Sequence, residues 1–489
     1  MLNPGAHAMG RKTTNSLRAW KVGSTILLFC TVVTISASAQ TFTNLATFDI
    51  TNGAFPSGLV QGLDGNFYGT TSGGGKGGVG GPGTVFSVTS AGVISAIHKF
   101  QSGTDGAQPL AGFVLAADGN FYGTTNGNST TGRPTIFKVA PDGTLTTLND
   151  DFGLPLPLIQ NNVNGTFYGI MPPGGLRGGT VLAITSAGAV STLYTFCKLN
   201  GCPDGNNPQA GLVQAPNGIM YGTTADGGKG YTDPKCVNNP GIGCGVVFAI
   251  GTGGIEKTLH SFNWTDGAQP ETSLVLGSDG NLYGTTQFGP VTTPSCNPCG
   301  TIFKITTAGV LTTLYSDSRA PSALIQGTDG NFYGTTPGTT AGGSCSNTAC
   351  GSVFQITPGG TYTTLHTFDK TDGLNPISGL VQGTDGNFYG TTNGFVGQHV
   401  YGTVFQLSMG LAPFVKTVPT AAYPGTNIFI LGTNLTGATS VTFNGTSAVF
   451  TVESAREIIA TVPNGSTTGT VQVVTPSGTL SSNASFKVF

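Results

Sequence analysis

The sequence predicts an all-β fold: a seven-bladed β-propeller closed by an N-terminal strand, followed by an Ig-like β-sandwich. Three observations predict it. A Tyr-Gly step behind an apolar residue recurs at Tyr68, Tyr122, Tyr168, Tyr221, Tyr283, Tyr333 and Tyr389. An Asp-Gly or Asn-Gly turn precedes each copy, at Asp64, Asp118, Asn164, Asn217, Asp279, Asp329 and Asp385. A strand without a unit of its own, Phe42 to Phe48, stands ahead of the first copy. Repeats of this period match propeller blades and are too long for one turn of most β-solenoids.

The unit around Tyr333 shows four predicted strands. Ala323-Leu324-Ile325-Gln326 is the first. Asp329-Gly330 makes a two-residue turn into the second, Asn331 to Thr336, since Asp, Asn and Gly best tolerate the backbone of a tight hairpin. After a long loop, Ser352 to Thr357 is the third, and Pro358-Gly359-Gly360 turns the chain into the fourth, Tyr362 to Phe368. The glycine after each tyrosine marks close backbone approach near a crowded axis. The last unit stops at Val404-Phe405-Gln406-Leu407, without a fourth strand. Leu45 and Phe48 of the leading strand match Leu365 and Phe368, so that strand completes the last blade and leaves no exposed edge.

Residues 1–39 read as a signal peptide. Arg11, Lys12, Arg18 and Lys21 lead an apolar run, Val22 to Ile35, and Ala37-Ser38-Ala39 is a cleavage site. The run is short for a bilayer span, so no membrane span is expected after cleavage. Phe29 occupies a position where a lipoprotein box needs a small residue. The propeller is assigned to residues 41–410. From Pro413 the repeat is lost, and residues 413–489 carry short strands with Gly and Asn turns, the spacing of an Ig-like sandwich.

Charged residues are 8% of the chain and the net charge is −2, which excludes the basic excess of a nucleic-acid binder. Eight cysteines remain after cleavage, in four sequence-local pairs: Cys197 and Cys202, Cys236 and Cys244, Cys296 and Cys299, Cys345 and Cys350. In an exported chain they read as disulfides, although proximity alone does not settle which pairs form.

Strand order places the first and third turns on one side of the ring. The second loops and the inter-blade loops lie on the other. The second set varies in length and holds all eight cysteines, so a ligand is expected there. Four of its acids recur as Asp-Gly-x-x-Pro: Asp105, Asp204, Asp266 and Asp372. They form either a ring of oxygens for Ca²⁺ or sugar hydroxyls, or plain turns before the strand. No metal site is assigned, and no cofactor is expected beyond that Ca²⁺ alternative. His98, His260 and His366 share one fourth-strand position with Tyr194 and Tyr315, which indicates packing. No catalytic set is readable. The loop aspartates could supply a carboxylate pair for glycoside chemistry, but nothing singles one out.

The stretch Gly379-Leu380-Val381-Gln382-Gly383-Thr384-Asp385-Gly386-Asn387-Phe388-Tyr389-Gly390-Thr391-Thr392 resembles the GloVer tandem repeat of exported bacterial proteins. Pro424-Gly425, Ile428 to Leu435 and Val441 to Gly445 are similar to IPT/TIG domains, which implies an interaction module or spacer. The expectation is a secreted, periplasmic or cell-surface monomer. It would bind a glycan or an extracellular protein, as a non-catalytic scaffold. A propeller enzyme acting on polysaccharide, lyase or hydrolase, and a structural surface protein are the alternatives.

Overall fold

Runs of β-branched and aromatic residues between glycine turns make each repeat one antiparallel sheet. In the repeat of Tyr333 the strands are Ile325–Gln326, Phe332–Pro337, Gly351–Ile356 and Tyr362–Thr367, paired in chain order. The computed structural model describes residues 40–489, apart from 104, 128–133, 151–156, 163, 174–177, 230–235, 237–242, 294–298, 319–320, 339–349, 370 and 395–400. The expected signal peptide therefore lies outside the described residues. Among the described residues there is no α-helix, and seven antiparallel sheets each carry one copy of the repeat. In the sheet of Tyr389 the fourth position is held by Thr41–Thr47, paired with Thr403–Ser408 from Thr41 opposite Ser408 to Thr47 opposite Thr403. The sheet of Tyr68 gains an extra strand, Ala54–Pro56, beside Phe67–Gly73.

The first turn differs from the two-residue form expected. The Gly330 N–H donates to Gly327 O at 2.9 Å, and the Gly327 N–H donates to Asn331 O at 2.8 Å. Asp329 is not among the residues of positive φ, whereas Gly330 has φ 81°. The loop is thus three residues, Thr328-Asp329-Gly330, with only the glycine in the left-handed region. Asp329 earns its place through its side chain: Oδ1 accepts the Asn331 N–H at 3.2 Å, an Asx-type turn. The reading of the Tyr-Gly glycine also changes. A Cβ on Gly334 would lie 2.6 Å from the Phe354 ring, which crosses from the third strand, so the glycine makes room for a side chain and not for backbone.

Each third-to-fourth pairing carries a register shift at the same place. In the sheet of Tyr333, Val353 faces His366 and Phe354 faces Thr364, leaving Leu365 as the extra residue. Leu45 is the extra residue of Thr41–Thr47. Such a bulge bends the strand and re-aims the residues around it. Here it brings the leucine carbonyl against a third turn of the next sheet. Gly92, at φ 85°, would place a Cβ 2.2 Å from Leu45 O, so no larger residue fits.

Neighbouring sheets are joined by aromatic stacks between the repeated Tyr and the residue before the next one. Ring centroids lie 4.4 Å apart for Tyr68 and Phe121, 4.2 Å for Tyr122 and Phe167, 3.9 Å for Tyr283 and Phe332, and 4.1 Å for Tyr333 and Phe388. Tyr389 meets Phe67 at 4.0 Å, joining the last sheet to the first. Glutamines add a second tie. Gln382 Oε1 accepts the Thr328 N–H at 3.1 Å, and Gln61 Oε1 accepts the Thr384 N–H at 3.0 Å.

Beyond Ser408 two further four-stranded sheets enclose a core of Ile428, Ile430, Leu435, Val441, Phe443, Ile458 and Val473. Alternation is clean in Val471–Thr475, whose first, third and fifth residues are buried and the others exposed. These sheets belong to one compact unit with the repeats. They lie on the side of the first turns. The Phe414 N–H donates to Thr384 O at 3.0 Å, Asn162 Nδ2 donates to Thr420 Oγ1 at 2.8 Å, and the Lys416 and Lys487 ammonium groups donate to the carbonyls of Gln382 and Pro216.

Removing residues 41–47 will expose the edge of Thr403–Ser408 and strip Leu45 and Phe42 from their cores. The melting temperature is expected to fall by roughly 10 °C, with concentration-dependent association of the free edge. A synthetic peptide of residues 40–48 should restore the loss. A truncated chain that melts like the full one would overturn the pairing.

Candidate functional site

The four Asp-Gly-x-x-Pro aspartates sit just past a fourth strand and fasten back onto it. Asp372 Oδ2 lies 2.8 Å from His366 Nε2, and its Oδ1 accepts the Asp369 N–H at 2.8 Å. Asp266 meets His260 Nε2 at 3.0 Å and the Asn263 N–H at 2.9 Å. Asp105 meets His98 Nε2 at 3.3 Å and the Gln101 N–H at 2.9 Å. In the remaining copy the Tyr194 hydroxyl donates to Asp204 at 2.8 Å, and the Cys197 N–H reaches the same carboxylate. The histidine rings also stand edge-on to Phe100, Phe262 and Phe368, with centroids 5.2, 5.1 and 4.9 Å away. Packing is therefore only half of their role; the other half holds the loop carboxylate. The signal was present in sequence as a recurring His-x-Phe followed by Asp-Gly-x-x-Pro. Among the described residues no group of three or more His, Cys, Asp or Glu side chains is placed to hold a metal ion.

The repeated tyrosines are buried, and five of them donate to the turn aspartate, as Tyr333 does to Asp329 at 2.8 Å and Tyr389 to Asp385 at 2.6 Å. Burial, then the aspartate beside it, pushes each of these phenols above its ordinary range. They serve as inter-sheet packing and not as exposed platforms.

Two acids on the variable-loop side have no such partner set. Asp226 follows the strand Met220–Thr224 and is only 8% exposed. Its Oδ2 accepts from Asn207 Nδ2 at 3.1 Å, and its backbone exchanges hydrogen bonds with Asn206. Burial pushes its pKa up to about 6, against the Asn207 hydrogen bond. Glu271 is likewise raised, first by burial and then by the charge of Asp226. A carboxyl that holds its proton near pH 6 beside a second acid suits general acid–base chemistry. Their sequence positions did not mark them as a pair, because only packing of one sheet on the next brings them within electrostatic reach.

On the same side a cavity of about 450 Å³ opens between the loops that lead into the first strands. Phe55, Leu59, Leu110, Ile377, Ser72 and Asn393 contribute to its lining, and none of the described residues that line it is ionisable. Leu110 and Ile377 remain 58% and 50% exposed. A second cavity, about 360 Å³, lies between the first strands and the C-terminal sheets. Lys416 lines it with its charged end enclosed. Burial pushes the ammonium down to about 8, partly opposed by the charge of Asp385.

The variable loops carry the disulfides Cys197–Cys202 and Cys236–Cys244. Cys299 and Cys350 are also disulfide-bonded, while Cys296 and Cys345 lie outside the described residues.

The Gloeobacter/Verrucomicrobia repeat family model matches residues 29–234 and 237–452. The chain belongs to the Gloeobacter/Verrucomicrobia repeat family. Solved structures resemble this repeat protein in fold. A streptogramin B lyase is 16% identical with a TM-score of 0.50, covering 76% of this chain and 97% of that chain. The WD40 β-propeller domain of Doa1 is 10% identical with a TM-score of 0.47, covering 76% and 97%. A gluconolactonase from Xanthomonas campestris is 13% identical with a TM-score of 0.38, covering 61% and 87%. The likeness is one of fold, an all-β, propeller-like array of four-stranded sheets. No curated protein matches the sequence.

Asp226 binds more protons folded than unfolded between its ordinary value of 3.8 and about 6, so its contribution to stability falls as pH rises through that window. Asp226→Asn is therefore expected to stabilise the protein at pH 7 by about 1–2 kcal/mol, allowing for partial solvation, and to leave stability unchanged below pH 4. Urea titrations at several pH values will measure this. Equal curves for the two proteins across the window would show that Asp226 titrates normally.

Proposed function

We propose that this repeat protein is an exported binding and scaffold protein, a closed seven-bladed β-propeller that presents its variable-loop side to a glycan or an extracellular protein. The observation that carries the reading is the position of the C-terminal sheets. They cover the first-turn side through Phe414, Thr420, Lys416 and Lys487, whereas the disulfide-bonded loops and the larger cavity lie at the opposite strand ends. Variable loops on a rigid scaffold are the usual seat of recognition. The pairing of Thr41–Thr47 with Thr403–Ser408, the Tyr389–Phe67 stack and the Thr384–Gln61 hydrogen bond support closure of the ring. The two-sheet core over residues 413–489 supports an Ig-like domain of the IPT/TIG kind. Export, to the periplasm, cell surface or medium, is supported by the N-terminal sequence pattern and the disulfides. No helix among the described residues is long and apolar enough to cross a membrane. In this reading Asp105, Asp204, Asp266 and Asp372 hold the recognition loops in place, with their exposed edges available to a ligand or to Ca²⁺. The partner is not a nucleic acid, and the protein acts as a monomer.

A second reading, a polysaccharide lyase or hydrolase, is favoured by the buried Asp226 and the half-buried Glu271 alone.

Thermal melting against a polysaccharide panel, with Ca²⁺ and with EDTA, tests the first reading. A ligand at 100 times its Kd adds roughly 2.7 kcal/mol, an easily measured shift. Asp266→Ala is expected to weaken that binding. Absence of any shift would leave a protein partner or a purely structural surface role. Chain-length analysis of the same mixtures tests the second reading: turnover that Asp226→Asn abolishes would establish it, and intact polymer would remove it.

A further inference from the structure

We propose that the cavity on the variable-loop side is a site for an uncharged, mainly apolar small molecule that donates one hydrogen bond to Asn393. The inference rests on the reading of that side as a binding face, and it names the ligand class for one part of it.

Size and lining set the class. A volume of about 450 Å³ falls within the range of small-molecule sites, which are mostly apolar with a few placed polar groups. Leu59, Leu110, Ile377 and Leu380 supply apolar walls, and Ser57 and Ser72 supply hydroxyls. A charged ligand would lose its hydration without a countercharge among the lining residues, so a neutral one is favoured.

Asn393 supplies the polar direction. Its side-chain Oδ1 is buried and finds no donor among the described residues, although its backbone N–H is satisfied by Asn375 O at 3.1 Å. A buried acceptor left unmade is uncommon and costly. Asn393 lines the cavity, and a turn about its Cβ–Cγ bond presents that oxygen to a ligand O–H or N–H.

Phe55 is a third, independent feature. It holds φ 59°, a left-handed backbone that a bulky residue rarely adopts. The matching positions before proline in other repeats, Gln108, Asn207, Gln269 and Asn375, have φ 53–55° and carry amide side chains. Asn is among the residues that tolerate this conformation best. Phe55 lines this cavity, and strained residues of this kind gather at functional sites.

The full chain is titrated with naphthol, with methoxynaphthalene, which has the ring but no donor, and with naphthoate, which is charged at neutral pH. Ligand fluorescence reports binding. Naphthol is expected to bind about tenfold tighter than either analogue, the effect of one hydrogen bond. Asn393→Leu should reduce naphthol to the level of methoxynaphthalene. Ile377→Arg, at an exposed rim position, should weaken naphthol and methoxynaphthalene at least tenfold while the melting temperature is kept. Should Asn393→Leu unfold, the Ile377→Arg result and the analogue ratio still decide. No binding of naphthol, equal affinity for the three probes, or affinity untouched by Ile377→Arg would overturn the proposal. Naphthol binding with no response to any glycan or protein would remove the broader reading and keep this site. A glycan response without naphthol binding would do the reverse.

Discussion

The structure depends on one contact repeated around the sheets: a buried tyrosine lying against the aromatic residue that begins the corresponding step in the next sheet. Tyr333 on Phe388 and Tyr389 on Phe67 are the same contact, although the second joins the end of the repeat region to its beginning. Offset and tilted aromatic pairs add to the area they bury. The turn aspartate anchors the phenol from behind, so turn formation and sheet packing use one side chain. Where the turn residue is Asn164 or Asn217, that charged anchor is replaced by an amide. Tyr168 and Tyr221 then share their apolar clusters with Met220 and Leu282.

This economy explains how a chain with so few charges is held together. Two sets of aspartates act as fasteners: those of the first turns hold tyrosines, and those of the Asp-Gly-x-x-Pro loops hold His98, His260, His366 or Tyr194. Each set works at one end of the strands, and each partner is supplied by the repeat itself. What the fasteners do not consume stands out. Asp226 is buried and Glu271 half-buried with no cation paired to either among the described residues, Asn393 has an oxygen without a donor among them, and Lys416 is enclosed beneath the C-terminal sheets.

The two sides of the repeat array consequently differ in kind. The first-turn side is nearly uniform because six of its turns are three-residue loops with one left-handed glycine, the turn of Asn164 having four residues, and the C-terminal sheets rest on it. The other side is built from loops of unequal length braced by disulfides, and its apolar cavity is walled by residues that flank the conserved-geometry prolines, such as Leu110 and Ile377.

The sequence by itself determined the sheet unit. Its strands, turns and lone leading strand are local features, written in Asp-Gly steps, β-branched runs and the match of Leu45 and Phe48 to Leu365 and Phe368. Local chemistry suffices there because each strand pairs mostly with its chain neighbour. Turn type and the role of the Tyr-Gly glycine were misread, since both depend on φ values and cross-strand rings that composition does not encode. The histidines were read as packing residues, and their bonds to Asp105, Asp266 and Asp372 emerged only with the fold. Tertiary structure alone decided which polar groups are buried outside the two fastener sets. Asp226 comes within electrostatic reach of Glu271 only because one sheet packs on the next, and Asn393 shares a cavity with Phe55 and Leu110 only because the last sheet packs on the first, and burial, which sets their chemistry, is a property of that packing.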